Sequence, residues 1–275
     1  VLFTRAQASA VRVNEVLKSE NPLVKGKKEI IENEELLSFQ DVSFRYTPKS
    51  GFVLKNIHFS LKKGETLGVI GATGSGKSSL IPLIMHEYEA TKGTVSFFKE
   101  DVVTLNHQGL LEKIAWVPQK AQLFSGSIRD NLSFGKYNPT NEECFKALEI
   151  AQLKDFVLEL PEQLDTVLFE GGQNLSGGQK QRLTIARALM KEPSLLILDD
   201  SLSALDYETD LKLRQSLQKN LPDTGILLIS QRISSLTLAE KILLLDEGNQ
   251  VGLGDFSTLL KENPTFKKIY ASQQE

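Results

Sequence analysis

A single cysteine, Cys144, occurs in 275 residues, so no disulfide can form within the chain, a composition that suits a reducing compartment. No run approaches the roughly 18 apolar residues of a membrane span, and no signal peptide is visible. Positive charge is not in excess either. Against 32 Lys and Arg stand 35 Asp and Glu, a formal net charge of −3, which leaves no global field to recruit nucleic acid. Internal repeats and low-complexity tracts are missing as well. What remains is an ordinary globular composition, 40% hydrophobic and 24% charged, in a chain long enough for one large domain or two small ones. It opens on Val1 rather than Met, and a piece of a longer protein is expected, with any membrane span outside it.

Residues 1–18, VLFTRAQASAVRVNEVLK, space Val1, Leu2, Ala6, Ala10, Val13 and Leu17 close to a helical period. Residues 19–34 are polar and hold Pro22 among mixed Lys and Glu, which reads as a linker, so the chain divides into 1–34 and a domain over 35–275. Alternating apolar residues (Val42, Phe44, Tyr46, then Ile57, Phe59, Leu61) on either side of a turn near TPKSG give an antiparallel strand region. ETLGVIG reads as a buried strand and KSSLIPLIMHEYE as a helix, and VSFF and KIAWVPQ supply further strands. Residues 127–191 are helix-rich, with a Thr140–Glu143 capping box ahead of CFKALEIAQL. The remainder alternates: strand LLILDD, helix YETDLKLRQSLQKN, strands GILLIS and KILLLDE, a turn at Gly248 and two terminal helical pieces. Strands separated by helices imply a mainly parallel sheet covered on both faces.

Two carboxylates close the strand SLLILDD. Asp199 and Asp200 repel one another there and neither is easily buried, so a cation is needed beside them. The partner chemistry lies upstream. GATGSGKSS, residues 71–79, fits G-x-x-x-x-G-K-[ST] between a strand and a helix, the context that this motif requires. Gly71, Gly74 and Gly76 let the loop, with Thr73, Ser75 and Ser79, turn backbone N–H groups inward around phosphate oxygens, and the helix N-terminus adds partial positive charge. Lys77 is expected to reach β- and γ-phosphates, Ser78 to ligate Mg²⁺, and Asp199 to hold the same ion directly or through a water.

At NLSGGQKQRLTIARAL the sequence resembles a specific family. Leu175-Ser176-Gly177-Gly178-Gln179 is similar to the signature motif of ABC-transporter nucleotide-binding domains. The order P-loop, Gln119 in VPQ, signature, aspartate-terminated strand is also that family's. On the residues alone, Ser176 and Gln179 form an S-x-x-Q capping box that starts a helix over 176–191, and Gly177 and Gly178 expose N–H groups at its positive end. The resemblance covers essentially the whole chain. It implies an α/β fold: a P-loop NTPase core (RecA-like, mainly parallel sheet), an N-terminal antiparallel β part, and an inserted helical subdomain over residues 120–190 or so. It implies ATP and Mg²⁺ as ligands, Tyr46 stacked on adenine, and Gln119 contacting the metal and the attacking water. Ser203-Ala204-Leu205-Asp206 resembles the loop that crosses the dimer interface, with Ser203 and Asp206 in it. In the family a second nucleotide-binding domain docks head-to-tail, its signature covering the first domain's γ-phosphate. LFSGSIRDNL (123–132) and RAQASAVRVNEVL resemble the exporter branch, the latter the end of a last transmembrane helix. A transmembrane domain of the same polypeptide and a place at the cytoplasmic face of the membrane are therefore expected. Exporters carry a Gly-Glu pair before the signature; here Phe169 precedes Glu170.

Two departures concern the chemistry. Family members place Glu, the general base, after the metal-binding aspartate. Here it is Asp200, one methylene shorter, and misplacing a catalytic group by about 1 Å costs on the order of 10²-fold. After the serine of LLISQRISS they place His; here Gln231 stands, whose amide donates a hydrogen bond but carries no charge. With Lys77, Gln119, Asp200 and Gln231 assigned to catalysis and the binding residues intact, the site is expected to bind Mg-ATP and hydrolyse it poorly. The intact signature would complete a partner's site. That pattern resembles the degenerate half of a heterodimeric exporter of multidrug or lipid type. The alternatives are a homodimeric exporter ATPase with Asp200 as a slow base, and a non-catalytic ATP-binding regulatory module.

Overall fold

A computed structural model describes residues 2–18, 23 and 26–273. Val1 of the expected first helix and residues 19–22, 24 and 25 of the expected linker lie outside the described residues. Helix α1 (Leu2–Lys18) is followed by β1 (Glu35–Phe44), β2 (Leu54–Lys62), β3 (Thr66–Ile70), α2 (Leu80–Ile84), β4 (Lys92–Phe97), β5 (Glu100–Asp101), α3 (His107–Lys113) and β6 (Ile114–Val117). The middle of the chain holds β7 (Gly126–Ser127), α4 (Ile128–Ser133), α5 (Asn141–Ile150), α6 (Lys154–Glu159), β8 (Val167–Leu168) and α7 (Gly177–Leu189). The last part runs β9 (Leu195–Asp199), α8 (Tyr207–Asn220), β10 (Gly225–Ile229), β11 (Lys241–Asp246), β12 (Asn249–Gly254), α9 (Phe256–Glu262) and α10 (Pro264–Ser272).

Among the described residues, ten strands form one sheet in the order β5-β4-β1-β2-β12-β11-β3-β10-β9-β6. From β11 to β6 the pairings are all parallel, whereas β1, β2, β4 and β5 pair antiparallel. A single pairing, Asn249 with Lys55, joins the two parts. Successive side chains of a strand point to opposite faces, and a parallel sheet is buried on both. Leu196 and Leu198 of β9, Ile226 and Leu228 of β10, and Ile242 and Leu244 of β11 accordingly face one core, built with α5, α7 and α8. Their neighbours Leu195, Ile197, Leu227, Ile229, Leu243 and Leu245 face a second, built with β1, β2 and α2. Strands β3, β9 and β10 are thus clamped on both sides, and their C-terminal ends are fixed relative to one another.

Local signals set most helix starts. The Thr140–Glu143 and Ser176–Gln179 boxes both form, opening α5 and α7, and a third, Ser127–Asp130, opens α4. The helix expected from Lys77 through Glu89 is much shorter. Lys77–Ser79 is a 3₁₀ turn and α2 ends at Ile84, because Pro82 has no N–H to donate within it and His86 is left-handed with φ 50°. After the turn at Gly248 the chain forms β12 before the two terminal helices; NQVGLG carries little apolar signal, and its strand exists because β11 pairs with it.

From Gly26 onward the expected linker is bound to the domain. Gly26 and Lys28 bridge to Asn106 and Leu105, and a Cβ on Gly26 would lie 2.1 Å from the Thr104 carbonyl oxygen, so the approach requires glycine. Glu32 spans Lys113 at 2.6 Å and Lys63 at 2.5 Å. Those two ammonium hydrogen bonds, Lys113 first, hold its carboxyl down to about 2.

Candidate functional site

The loop expected to hold phosphate starts where β3 runs out. Gly71 follows Ile70, and a Cβ there would meet Leu245 O of β11 at 2.1 Å, which explains the residue type. Gly74 (φ 83°) and Gly76 (φ 98°) take left-handed turns that other residues resist. Nothing would stand within 4 Å of a Cβ on Gly74, so the rim of the loop is open. Lys77 is buried, and its Nζ donates to Gly71 O and Ala72 O, both at 2.8 Å. Burial lowers its pKa, opposed by the charges of Asp200 and Asp199. Among the described residues the buried Ser75 hydroxyl has no hydrogen-bond partner. Because α2 has only one and a half turns, an anion here would be drawn by the loop N–H groups and Lys77 more than by a helix dipole.

The facing wall is built by the parallel strands. β9 ends at Asp199, in register with Ile229 at the end of β10, so the residues after each strand share one rim. Asp200 N donates to Ile229 O at 2.8 Å, and Asp200 itself is left-handed with φ 47°. Its Oδ2 accepts from Gln119 Nε2 at 2.8 Å and from Gln231 Nε2 at 3.3 Å, and its Oδ1 from Gln231 N at 3.4 Å. Asp199 Oδ1 lies 3.4 Å from Ser78 Oγ. Burial above all, and then the adjacent Asp200 charge, push the Asp199 pKa up, against the Ser78 hydroxyl and Lys77.

Thr73, Gly74, Gly76, Lys77, Ser78, Ser79, Gln119, Asp199, Asp200 and Gln231 therefore line one open cleft of about 310 Å³, with Val53 and Ile229. Gly71 and Ser75 form the back of the loop. Tyr46 stands at the edge, half exposed, its hydroxyl 3.0 Å from Ser79 Oγ and its ring edge-on to Phe44 and Tyr88. The donor set suits Mg²⁺: a hydroxyl, a carboxylate and an amide oxygen are hard ligands, and an Asp199 carboxylate destabilised by burial gains from a cation. Among the described residues no three His, Cys, Asp or Glu gather as a metal cage, so the remaining ligands would be phosphate and water oxygens, as is usual for Mg²⁺. Ser78, Asp199 and Gln119 are the residues that would hold it.

Ser176, Gly177, Gly178 and Gln179 do not line this cleft. Ser176 and Gln179 are occupied in the capping box of α7, and a Cβ on Gly177 would have nothing within 4 Å among the described residues, its chain neighbours and own helix backbone aside. Ser203 Oγ donates to Asp200 O at 2.7 Å, and Asp206 caps α8 through Thr209 N and Oγ1. One residue that sequence reasoning passed over connects these parts. Arg232 donates to Ser203 O at 2.8 Å and Leu205 O at 3.1 Å, and Leu205 in turn abuts Gly178, whose added Cβ would be 3.3 Å from Leu205 Cδ2. Its only sequence signal was a charge beside Gln231.

A family model described as ABC transporter matches residues 54–203. An uncharacterized ABC transporter ATP-binding protein of Bacillus subtilis (strain 168), YfiB, is 42% identical over 99% of this chain and 47% of its own length. A multidrug efflux ATP-binding/permease protein of Mycobacterium bovis is 38% identical over 96% of this chain and 22% of its own length. The solved structure of a bacterial Atm1-family ABC exporter with ATP bound superposes with a TM-score of 0.91 at 26% identity, over 99% of this chain and 48% of that one. The chain thus spans less than half the length of each of these relatives.

Proposed function

We propose the following for this chain, which belongs to the ABC transporter family: it is the ATP-binding domain of an exporter subunit whose own site binds Mg-ATP and turns it over slowly, while its signature completes the site of a second domain docked head-to-tail. ATP hydrolysis coupled to transport is the reaction of such exporter domains. The observation that carries the finer reading is the pair of substitutions at the cleft. Asp200 and Gln231 stand where the family places Glu and His, and the Asp200 carboxylate is tied to two amide donors. Lys77 and the loop N–H groups hold the phosphates, Tyr46 offers its exposed ring to the adenine, and Gln119 and Gln231 orient a water against Asp200, the short acceptor for its proton. Mg²⁺, when bound, neutralises phosphate charge. The outward-facing Gly177, Ser176 and Gln179, and the Ser203–Asp206 loop beside them, supply the surface for the second domain. The membrane segments lie outside this chain, and the domain sits at the cytoplasmic face; the partner is a different subunit, for which a second copy of this chain stands in when the chain is alone.

Slow hydrolysis has a consequence that tests this. If nucleotide sandwiched between two domains holds them together, a pair of these chains keeps its ATP and stays closed. Sedimentation of the chain with Mg-ATP is expected to show a long-lived dimer, lost in Gly177→Asp. An added Cβ at Gly177 would have nothing within 4 Å among the described residues, its chain neighbours and its own helix backbone aside, so the fold and the ATP affinity should stay intact. A Gly177→Asp chain that still dimerises would sink the head-to-tail reading.

A further inference from the structure

Gln231 reaches Asp200 from a loop that is gripped from outside the cleft. The side-chain amide of Gln273, the residue that caps the C-terminal end of α10, accepts a hydrogen bond from Ile233 N at 2.8 Å and donates one to Gln231 O at 2.7 Å. One planar amide therefore binds an acceptor and a donor two residues apart, as a neighbouring strand would. The helix carrying it is anchored independently. Phe266 is fully buried in the core that contains Ile233 and Leu236, the Phe256 ring packs 5.5 Å from it, and Asn263 caps the helix through Phe266 N. The other side of the loop is held as well, by Arg232 on the Ser203 and Leu205 carbonyls and by Ser235 Oγ donating to the buried Asp210 at 2.9 Å. The two contacts from Gln231 to Asp200, at 3.4 and 3.3 Å, lie near the limit of a hydrogen bond, where a small backbone displacement breaks or tightens them.

We propose that Gln273 is a positioning residue for the nucleotide site: its amide latches the Gln231–Ile233 backbone onto the C-terminal helix and so sets how Gln231 meets Asp200. Gln273 touches no reacting atom and acts through Gln231. The proposal rests on the reading that Gln231 and Asp200 serve the nucleotide site.

The test compares the chain with Gln273→Ala and Gln273→Glu. Alanine removes both bonds. Glutamate keeps an acceptor for Ile233 N–H but sets a carboxylate oxygen against Gln231 O, so it should harm the site more than alanine does. Three quantities are read: amide exchange at Ile233 against Leu227 of the central sheet, kcat and KM for Mg-ATP, and the melting temperature. In Gln273→Ala, Ile233 exchange is expected to quicken about tenfold with Leu227 unchanged, since a lost hydrogen bond shifts an opening equilibrium by about that factor. The kcat is expected to fall about threefold or more with KM steady, and further in Gln273→Glu, while melting moves by no more than about 2 °C. Unchanged Ile233 exchange overturns the latch whatever the turnover. Quicker exchange with kcat and KM both unchanged overturns its link to the site, as does an equal loss in both variants that follows a fall in melting temperature. A parent chain that fails to bind Mg-ATP would instead overturn the site reading, and the exchange measurement would still decide the latch.

Discussion

Lengthening the acid at position 200 and restoring a histidine at 231 should raise turnover. Asp200→Glu extends the carboxylate by about 1.3 Å along the chain, the projection of one C–C bond. At present that carboxylate stops at the Gln119 amide, 2.8 Å away, with Gln231 at 3.3 Å. A placement error of about 1 Å is worth on the order of 10²-fold, or about 2.7 kcal/mol of barrier, and Gln231→His adds a group that can carry charge. The double variant is therefore expected to hydrolyse ATP about 30- to 100-fold faster than wild type, with ATP affinity within about threefold because the phosphate loop is untouched. A cost should accompany the gain. Position 200 has φ 47°, a conformation that Asp tolerates better than Glu, so up to about 1 kcal/mol and about 2–4 °C of melting temperature are expected to be lost. The assay is phosphate release at increasing chain concentration, since the site as proposed is completed by a second domain, with nucleotide binding followed in parallel. A wild-type chain already turning over at about 10 s⁻¹, a typical enzyme rate, would refute the reasoning and make Asp200 a sufficient base in a homodimeric exporter. A double variant that binds ATP normally and gains nothing would refute it equally.

Asp199→Asn should stabilise the metal-free chain at neutral pH. Its folded pKa is raised by burial, so the charged form weakens the fold above the unfolded value and the penalty fades as pH falls; the variant's melting advantage should shrink toward about pH 4, and its ATP binding should no longer strengthen with Mg²⁺. Glu32→Gln should do the opposite: with a folded pKa of about 2 against 4.5, Glu32 stabilises above about pH 4.5 and loses that effect as pH falls toward 2. The pairs are partly exposed, so the loss at pH 7 should stay below about 1 kcal/mol and about 3 °C, vanishing in melts near pH 2. Tyr46→Ala should weaken binding of ATP about 5- to 30-fold if the ring stacks on the base, as read by titration calorimetry. An unchanged affinity would leave Tyr46 a packing partner of Phe44 and Tyr88.

Much of the site could be read in the linear chain because its chemistry is local. A loop that turns N–H groups toward phosphate needs glycines at fixed offsets, and Gly71, Gly74 and Gly76 sit in one run of six residues with Lys77 and Ser78 directly after. The capping boxes at Thr140 and Ser176 are likewise four-residue events. Elements that depend on a distant partner were misjudged or missed. Strand β12 has almost no apolar pattern and exists by pairing with β11, and the strap from Gly26 to Glu32 looked like a polar linker because its partners, Lys63, Lys113 and residues 104–106, are far along the chain; α2 alone was misjudged for a local reason, Pro82 within it and the left-handed His86 after it.

Residue identity and short-range spacing thus determined a glycine-rich loop running into Lys77 and Ser78, an acid at the end of a buried strand, and a capped glycine pair. Only tertiary structure decided that the loop, the two aspartates, Gln119 and Gln231 line one cleft and that the glycine pair lies outside it. Gln119 and Asp200 are separated by 81 residues and Asp200 and Gln231 by 31. They meet because parallel pairing sets β6, β9 and β10 side by side with their ends level. The same folding turns the α7 signature out of the cleft and hangs the Gln231 loop on Arg232 and Gln273. Hydrogen bonds between backbone and side chains so far apart leave no periodicity for a sequence to carry.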